Sequence, residues 1–184
     1  MNKPFVASVL LASGLCSFAD AGGGAAASDS KFFQASLTPN VAIHSRDTHI
    51  KGIALSIWGE NPQGAFGLGF VNGSTGDSSG FSLGLANYAD NYTGVQMSFV
   101  NCVYGKMVGW QDSFVNYAKE FQGLQSGFVN IADSGNGVQF GAVNYTREMK
   151  GVQVGFANII TENEWFKDFP DKLAKGFVFV NWSF

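Results

Sequence analysis

Charge is scarce in this chain. Asp, Glu, Lys and Arg supply 14% of its 184 residues, and 11 basic against 14 acidic side chains leave a net charge of −3. A nucleic-acid surface needs a basic excess, so that partner is excluded. Histidine is almost missing. His44 and His49 lie five apart around Arg46 and Asp47, and a metal centre wants more ligands in a fixed geometry. They read as loop residues, with no metal expected. Beyond residue 21 no apolar run is long enough for a transmembrane helix. If the mature chain crosses a membrane, it must do so with strands. Catalytic signatures are missing as well. There is no Gly-x-Ser-x-Gly elbow and no paired-cysteine motif. Gly64-Ala65-Phe66-Gly67 opens no helix that would turn its glycines into a nucleotide cradle. The expectation is a protein with no catalytic residues and no cofactor.

What is present begins with a leader. Lys3 precedes an apolar stretch from Phe5 to Phe18, and Ala19-Asp20-Ala21 follows. These are the parts of a secretory signal, residues 1–21, cleaved after Ala21. Leu15 stands where a lipoprotein would need a small residue before Cys16, so lipidation is not favoured. Residues 22–30 form a Gly/Ala/Ser linker, and residues 31–184 form a single domain. Cleavage would leave Cys102 as the only cysteine, with no internal disulfide. An exported protein of the bacterial outer membrane or cell surface is expected.

The domain is a repeat. The phrase Gly-x-Gln-x-Gly/Ser-x-x-Asn runs from Gly94 to Asn101, Gly109 to Asn116, Gly123 to Asn130, Gly137 to Asn144 and Gly151 to Asn158. Its glutamines form one set (Gln96, Gln111, Gln125, Gln139, Gln153). Its asparagines, extended upstream, form another (Asn72, Asn87, Asn101, Asn116, Asn130, Asn144, Asn158), in steps of 14 or 15. A fixed short period means one structural unit stacked many times. Counting the glycine as position 0, positions 1, 3 and 5 are mostly bulky: Val95, Met97 and Phe99 in one unit, Phe81, Leu83 and Leu85 in another. Positions 2, 4 and 6 are smaller or polar. Alternation of this kind is the period of a β-strand. Turn residues lie between phrases, as in Ala132-Asp133-Ser134-Gly135-Asn136, and Gly73 to Gly80 reads as a loop. The count is about ten strands of roughly 8–10 residues.

Three all-β architectures fit, one of them a soluble β-sandwich or open meander; the other two make sharper statements. The first is an antiparallel meander closed as a small outer-membrane barrel, with bulky positions toward lipid and amides toward the lumen. Its role would be structural, interaction-based or the passage of small solutes. Its partners would be outer-membrane lipid and the barrel-assembly machinery. The chain ends Val178-Phe179-Val180-Asn181-Trp182-Ser183-Phe184, which resembles the C-terminal strand of bacterial outer-membrane barrels; the resemblance implies that Trp182 and Phe184 act as an assembly signal. Two observations count against lipid exposure: Asp112 and Ser126 fall at position 3, on the supposed lipid face. The alternative is a β-solenoid, one 14-residue coil per repeat, in which amides stack as ladders and bulky positions fill a dry core. It would bind a surface partner along its stacked face. The two differ at one pair of residues, since only a solenoid sets Gln125 beside Gln139.

The phrases also resemble a family of bacterial surface-repeat proteins built from tandem Gly-x-Gln-x-Gly-x-x-Asn units behind a signal peptide. The resemblance spans residues 52–158, with departures at Ala54, Gly59 and Gly67. It implies an envelope location and no defined reaction. The Gln and Asn sets read as structural columns. Between Asn158 and Asn181 the period breaks, and the charged insertion carries Trp165, Phe166 and Phe169 as a candidate contact loop.

Overall fold

Identical residues every 14 or 15 positions can stack only if successive strands run the same way. Antiparallel pairing would set each glutamine against a different position of its neighbour. The computed structural model describes residues 30–184; the leader, its cleavage site and the linker up to residue 29 lie outside the described residues. The elements are β1 (Ser30–Thr38), β2 (Val41–Ala42), β3 (His49–Asn61), β4 (Gly64–Leu83), β5 (Ala86–Ile160) and β6 (Gly176–Ser183). They form one sheet in the order β2-β1-β3-β4-β5-β6. The pairs β1–β3, β3–β4 and β4–β5 are parallel. Only the two end pairs, β1–β2 and β5–β6, are antiparallel.

β5 is 75 residues of unbroken extended chain. Drawn straight it would reach about 250 Å, yet Gln139 Nε2 donates to Gln125 Oε1 at 2.8 Å within it. The strand therefore winds as a coil that returns to its start every 14 or 15 residues. The chain is a β-solenoid. The barrel reading is overturned, together with its transmembrane strands and outer-membrane setting. The residues between phrases do not reverse the chain, as a meander needs. Gly73 to Gly80, expected as a loop, lies inside β4 and pairs in parallel with residues of β5. Ala132 to Asn136, expected as a turn, lies inside β5.

One corner of each coil is a glycine. Gly123 has φ 130°, and a Cβ there would stand 2.2 Å from the carbonyl oxygen of Gly109. The same two constraints recur at Gly94, Gly109, Gly137 and Gly151. The backbone takes a conformation that L side chains avoid, and the coil above leaves no room for one. This is why the phrase opens on glycine.

The interior is where the solenoid expectation also needs correction. Positions 1, 3 and 5 do not fill the core. Positions 2, 4 and 7 point inward, so the five glutamines and seven asparagines are buried. The remaining space is filled from the segment after each asparagine. Ala89, Val103, Ala118, Ala132 and Ile160 form one buried row, while Tyr92, Met107, Phe121 and Met149 form another. Gly135 continues the second row without a side chain, and a Cβ there would stand 2.2 Å from the Phe121 ring. The aromatic of one coil uses the space its neighbour leaves empty.

Buried amides are tolerated only when partnered. Asn72 donates to Asn87, and the relay continues through Asn101, Asn116, Asn130 and Asn144 to Asn158 at 2.8–3.0 Å. The same Nδ2 groups also reach a position-3 carbonyl of the next coil, as Asn116 does to Ser126 at 2.7 Å. Gln153 donates back to Gln139, and so on through Gln125 and Gln111 to Gln96. The two ladders donate in opposite directions along the stack, so their amide dipoles oppose. A finite ladder must leave one donor and one acceptor over. Gln96 Nε2 and Gln153 Oε1, its two ends, are buried without a partner.

Cys102 is buried among the coils. Cys16, the chain's other cysteine, lies outside the described residues.

Candidate functional site: an exposed apolar face

Strand alternation puts the two sides of each row in opposite environments. With amides inward, positions 1, 3 and 5 must point out. Ile53, Leu55 and Ile57 begin the face; Phe66, Leu68 and Phe70 follow in the next row. Leu85, Phe99, Phe114 and Phe128 continue its position-5 column at 46–60% exposure. The rings form a stack: Phe99 and Phe114 have centroids 5.1 Å apart, Phe114 and Phe128 4.9 Å, each pair within 1° of parallel. Phe66 and Phe81 make a second stack at 5.2 Å. Between columns 3 and 5 runs a trough floored by Gly69 and Gly84, with Leu68, Phe70, Leu83 and Leu85 as walls.

The polar breaks in this face are tied together. Trp110 Nε1 donates to Ser126 Oγ at 2.8 Å, and the Ser126 hydroxyl donates to the Asp112 carboxylate. Charge collects on the other side of the coils, where Lys106, Lys119, Glu120, Asp133, Arg147 and Lys150 are exposed. Arg147 pairs there with Glu162 at 2.8 Å, an exposed bridge that contributes little.

Each end of the sheet is partly covered by a short antiparallel element, which blunts edge-to-edge pairing. At the N-terminal end β2 folds back on β1. Arg46 bonds Glu60, whose other oxygen accepts from the Tyr88 hydroxyl, so the loop before β3 is pinned to the coils. Burial first, and Glu60 second, push the Tyr88 hydroxyl above its ordinary range. At the C-terminal end β6 runs antiparallel to the last coil. Trp182 lies opposite Val152, Asn181 opposite Gln153 and Val180 opposite Val154. The reversal sets Trp182 and Val180 beside Val152 and Val154 of the outer face, and the register shifts where Gly155–Asn158 of β5 passes Phe179–Phe177.

The amide sets expected as structural columns are brought together as the two ladders. Trp182 Nε1 donates to the Pro170 carbonyl at 2.8 Å, and Phe184 is exposed at the chain end. Without a barrel, an assembly role for this pair has no basis. Trp165, Phe166 and Phe169 are exposed in the segment between β5 and β6. His44 and His49 are at the N-terminal end, and the described residues hold no group of three or more His, Cys, Asp or Glu able to bind a metal. Sequence reasoning found the bulky columns but aimed them at lipid or at a core. A signal for their true direction was present. The Gln and Asn columns are strict, as an interlocked interior demands, whereas position 3 accepts Leu, Met, Asp, Ser, Phe and Val, as an open surface allows.

No family model, curated protein or solved structure matches this chain. The tandem repeat behind the resemblance to bacterial surface-repeat proteins is present as stacked coils, and membership of that family has no further support.

Proposed function

We propose that this is an exported, surface-attached or secreted β-solenoid that works by binding rather than catalysis, and that its apolar face is the docking surface. The observation that carries the reading is the inverted distribution of polarity. Amides occupy the interior while aromatic and aliphatic columns stand in the open. Monomers rarely expose contiguous apolar patches beyond about 300–600 Å², and larger ones mark interaction sites. A rigid, repetitive backbone also suits binding along an extended face. The leader in the sequence supports export.

The test uses two cysteine variants in the producing cells. Ser126→Cys lies on the apolar face and Lys119→Cys on the charged one. A membrane-impermeant maleimide applied to intact cells is expected to label Lys119→Cys and to spare Ser126→Cys. Equal labelling at both sites overturns docking; labelling at neither overturns surface location.

A further inference from the structure

Resting on the docking reading, we infer that the occupant of the apolar face is a second copy of this chain, packed face to face across a two-fold axis. Size is the first argument. Rows at the sheet spacing of about 4.8 Å, from Ile53 to the cap strand, make a face about 40 Å tall and about 15 Å wide. That is on the order of 600 Å² per copy, which brings a pair to the lower bound of a stable interface, about 1,200 Å² in total.

Shape is the second. Each row presents its side chains at positions 1, 3 and 5, so a two-fold axis running across the columns sets like columns of the two copies against each other. Because the rows repeat at one spacing, the face is complementary to itself at any shift of a whole row. An isologous contact needs that self-complementarity. Two sheets meeting this way would form a sandwich about 10 Å thick, with the Phe99–Phe114–Phe128 stack inside it.

Charge is the third. A lipid surface is disfavoured, because the chain is net negative and no lysine or arginine stands at positions 1, 3 or 5 to meet anionic headgroups. Asp112 is the face's one acidic group, already bonded by Ser126. A two-fold axis displaced by half a row toward the N-terminal end sets it opposite Met97 rather than opposite its own copy.

Sedimentation equilibrium of the purified exported chain tests this. The expected result is twice the monomer mass at micromolar concentration. Phe99→Glu/Phe128→Glu and Phe99→Lys/Phe128→Lys should each weaken association at least tenfold while keeping the β circular dichroism. Their mixture should recover the dimer, which misfolded variants would not. A dimer indifferent to both variants overturns the proposal. A monomer at all concentrations does so too. If that monomer binds an apolar fluorophore or lipid vesicles and the variants do not, the docking reading survives its partner; if neither binding depends on the face, both fall.

Discussion

The two sides of each row in this solenoid make opposite use of the same backbone. Inside, position 2 holds glutamine in five successive coils and position 7 holds asparagine in seven. Outside, position 3 runs through Leu83, Met97, Asp112, Ser126, Phe140 and Val154. The difference follows from how each side is satisfied. A buried amide needs a partner above and below at hydrogen-bond distance, so only the same amide will do. An exposed side chain needs nothing from its neighbours beyond room. Polarity did not decide which side became the interior here. Mutual satisfaction along the stack did, and it left the apolar side facing outward.

That contrast can be broken most sharply at a corner. Gly123→Val forces a branched residue to φ 130° against a carbonyl 2.2 Å from its Cβ. A loss of about 3 kcal/mol or more is expected, read as the shift in urea midpoint. Gly76→Ala is the control, since its φ is 61° with no atom within 4 Å of a built Cβ; about 1 kcal/mol is expected there. Similar small losses at both would remove the stacking argument.

The inner and outer sides themselves are compared by a second pair. Gln125→Ala orphans Gln111 Oε1 and Gln139 Nε2 and leaves a cavity, for a cost of about 3 kcal/mol. Phe114→Ser removes a larger side chain but from the open stack, and about 1 kcal/mol is expected. Thermal denaturation of dilute protein would rank them, and a costlier Phe114→Ser would mean that the outer face, not the ladder, holds the coils together.

The smallest effect sharpens the rule that buried polar groups need partners. The Tyr92 hydroxyl is buried with none. Tyr92→Phe should therefore be neutral or stabilising by up to about 1 kcal/mol. Burial also raises the Tyr92 pKa above its ordinary 10.0. Stability from the neutral hydroxyl is full below pH 10 and falls as pH rises beyond it, because the unfolded chain ionises first. Tyr92→Phe should make alkaline unfolding shallower. A variant as alkali-sensitive as the parent would show that this tyrosine stays protonated in neither state's favour.

Strand content and the repeat length were legible in the chain as a period of two within a period of 14 or 15, and the phrase-opening glycines were legible as a column but not as corners. The candidate face was legible as a set of residues: Phe99, Phe114 and Phe128 share one position of the phrase. Its direction was not, because alternation marks two sides without saying which is in. The second inward row was hidden too. Tyr92, Met107, Phe121 and Gly135 look unrelated until Phe121 is seen filling the volume that Gly135 vacates.

By itself, then, the sequence determined that a unit of 14 or 15 residues would recur and which residues would share a position in it, since spacing along a chain is a one-dimensional fact. Tertiary structure decided that the strands run parallel, that Gln125 meets Gln139, and that the aromatics face out. Those outcomes depend on hydrogen bonds closing between coils, and such bonds exist only once the chain has wound back over itself.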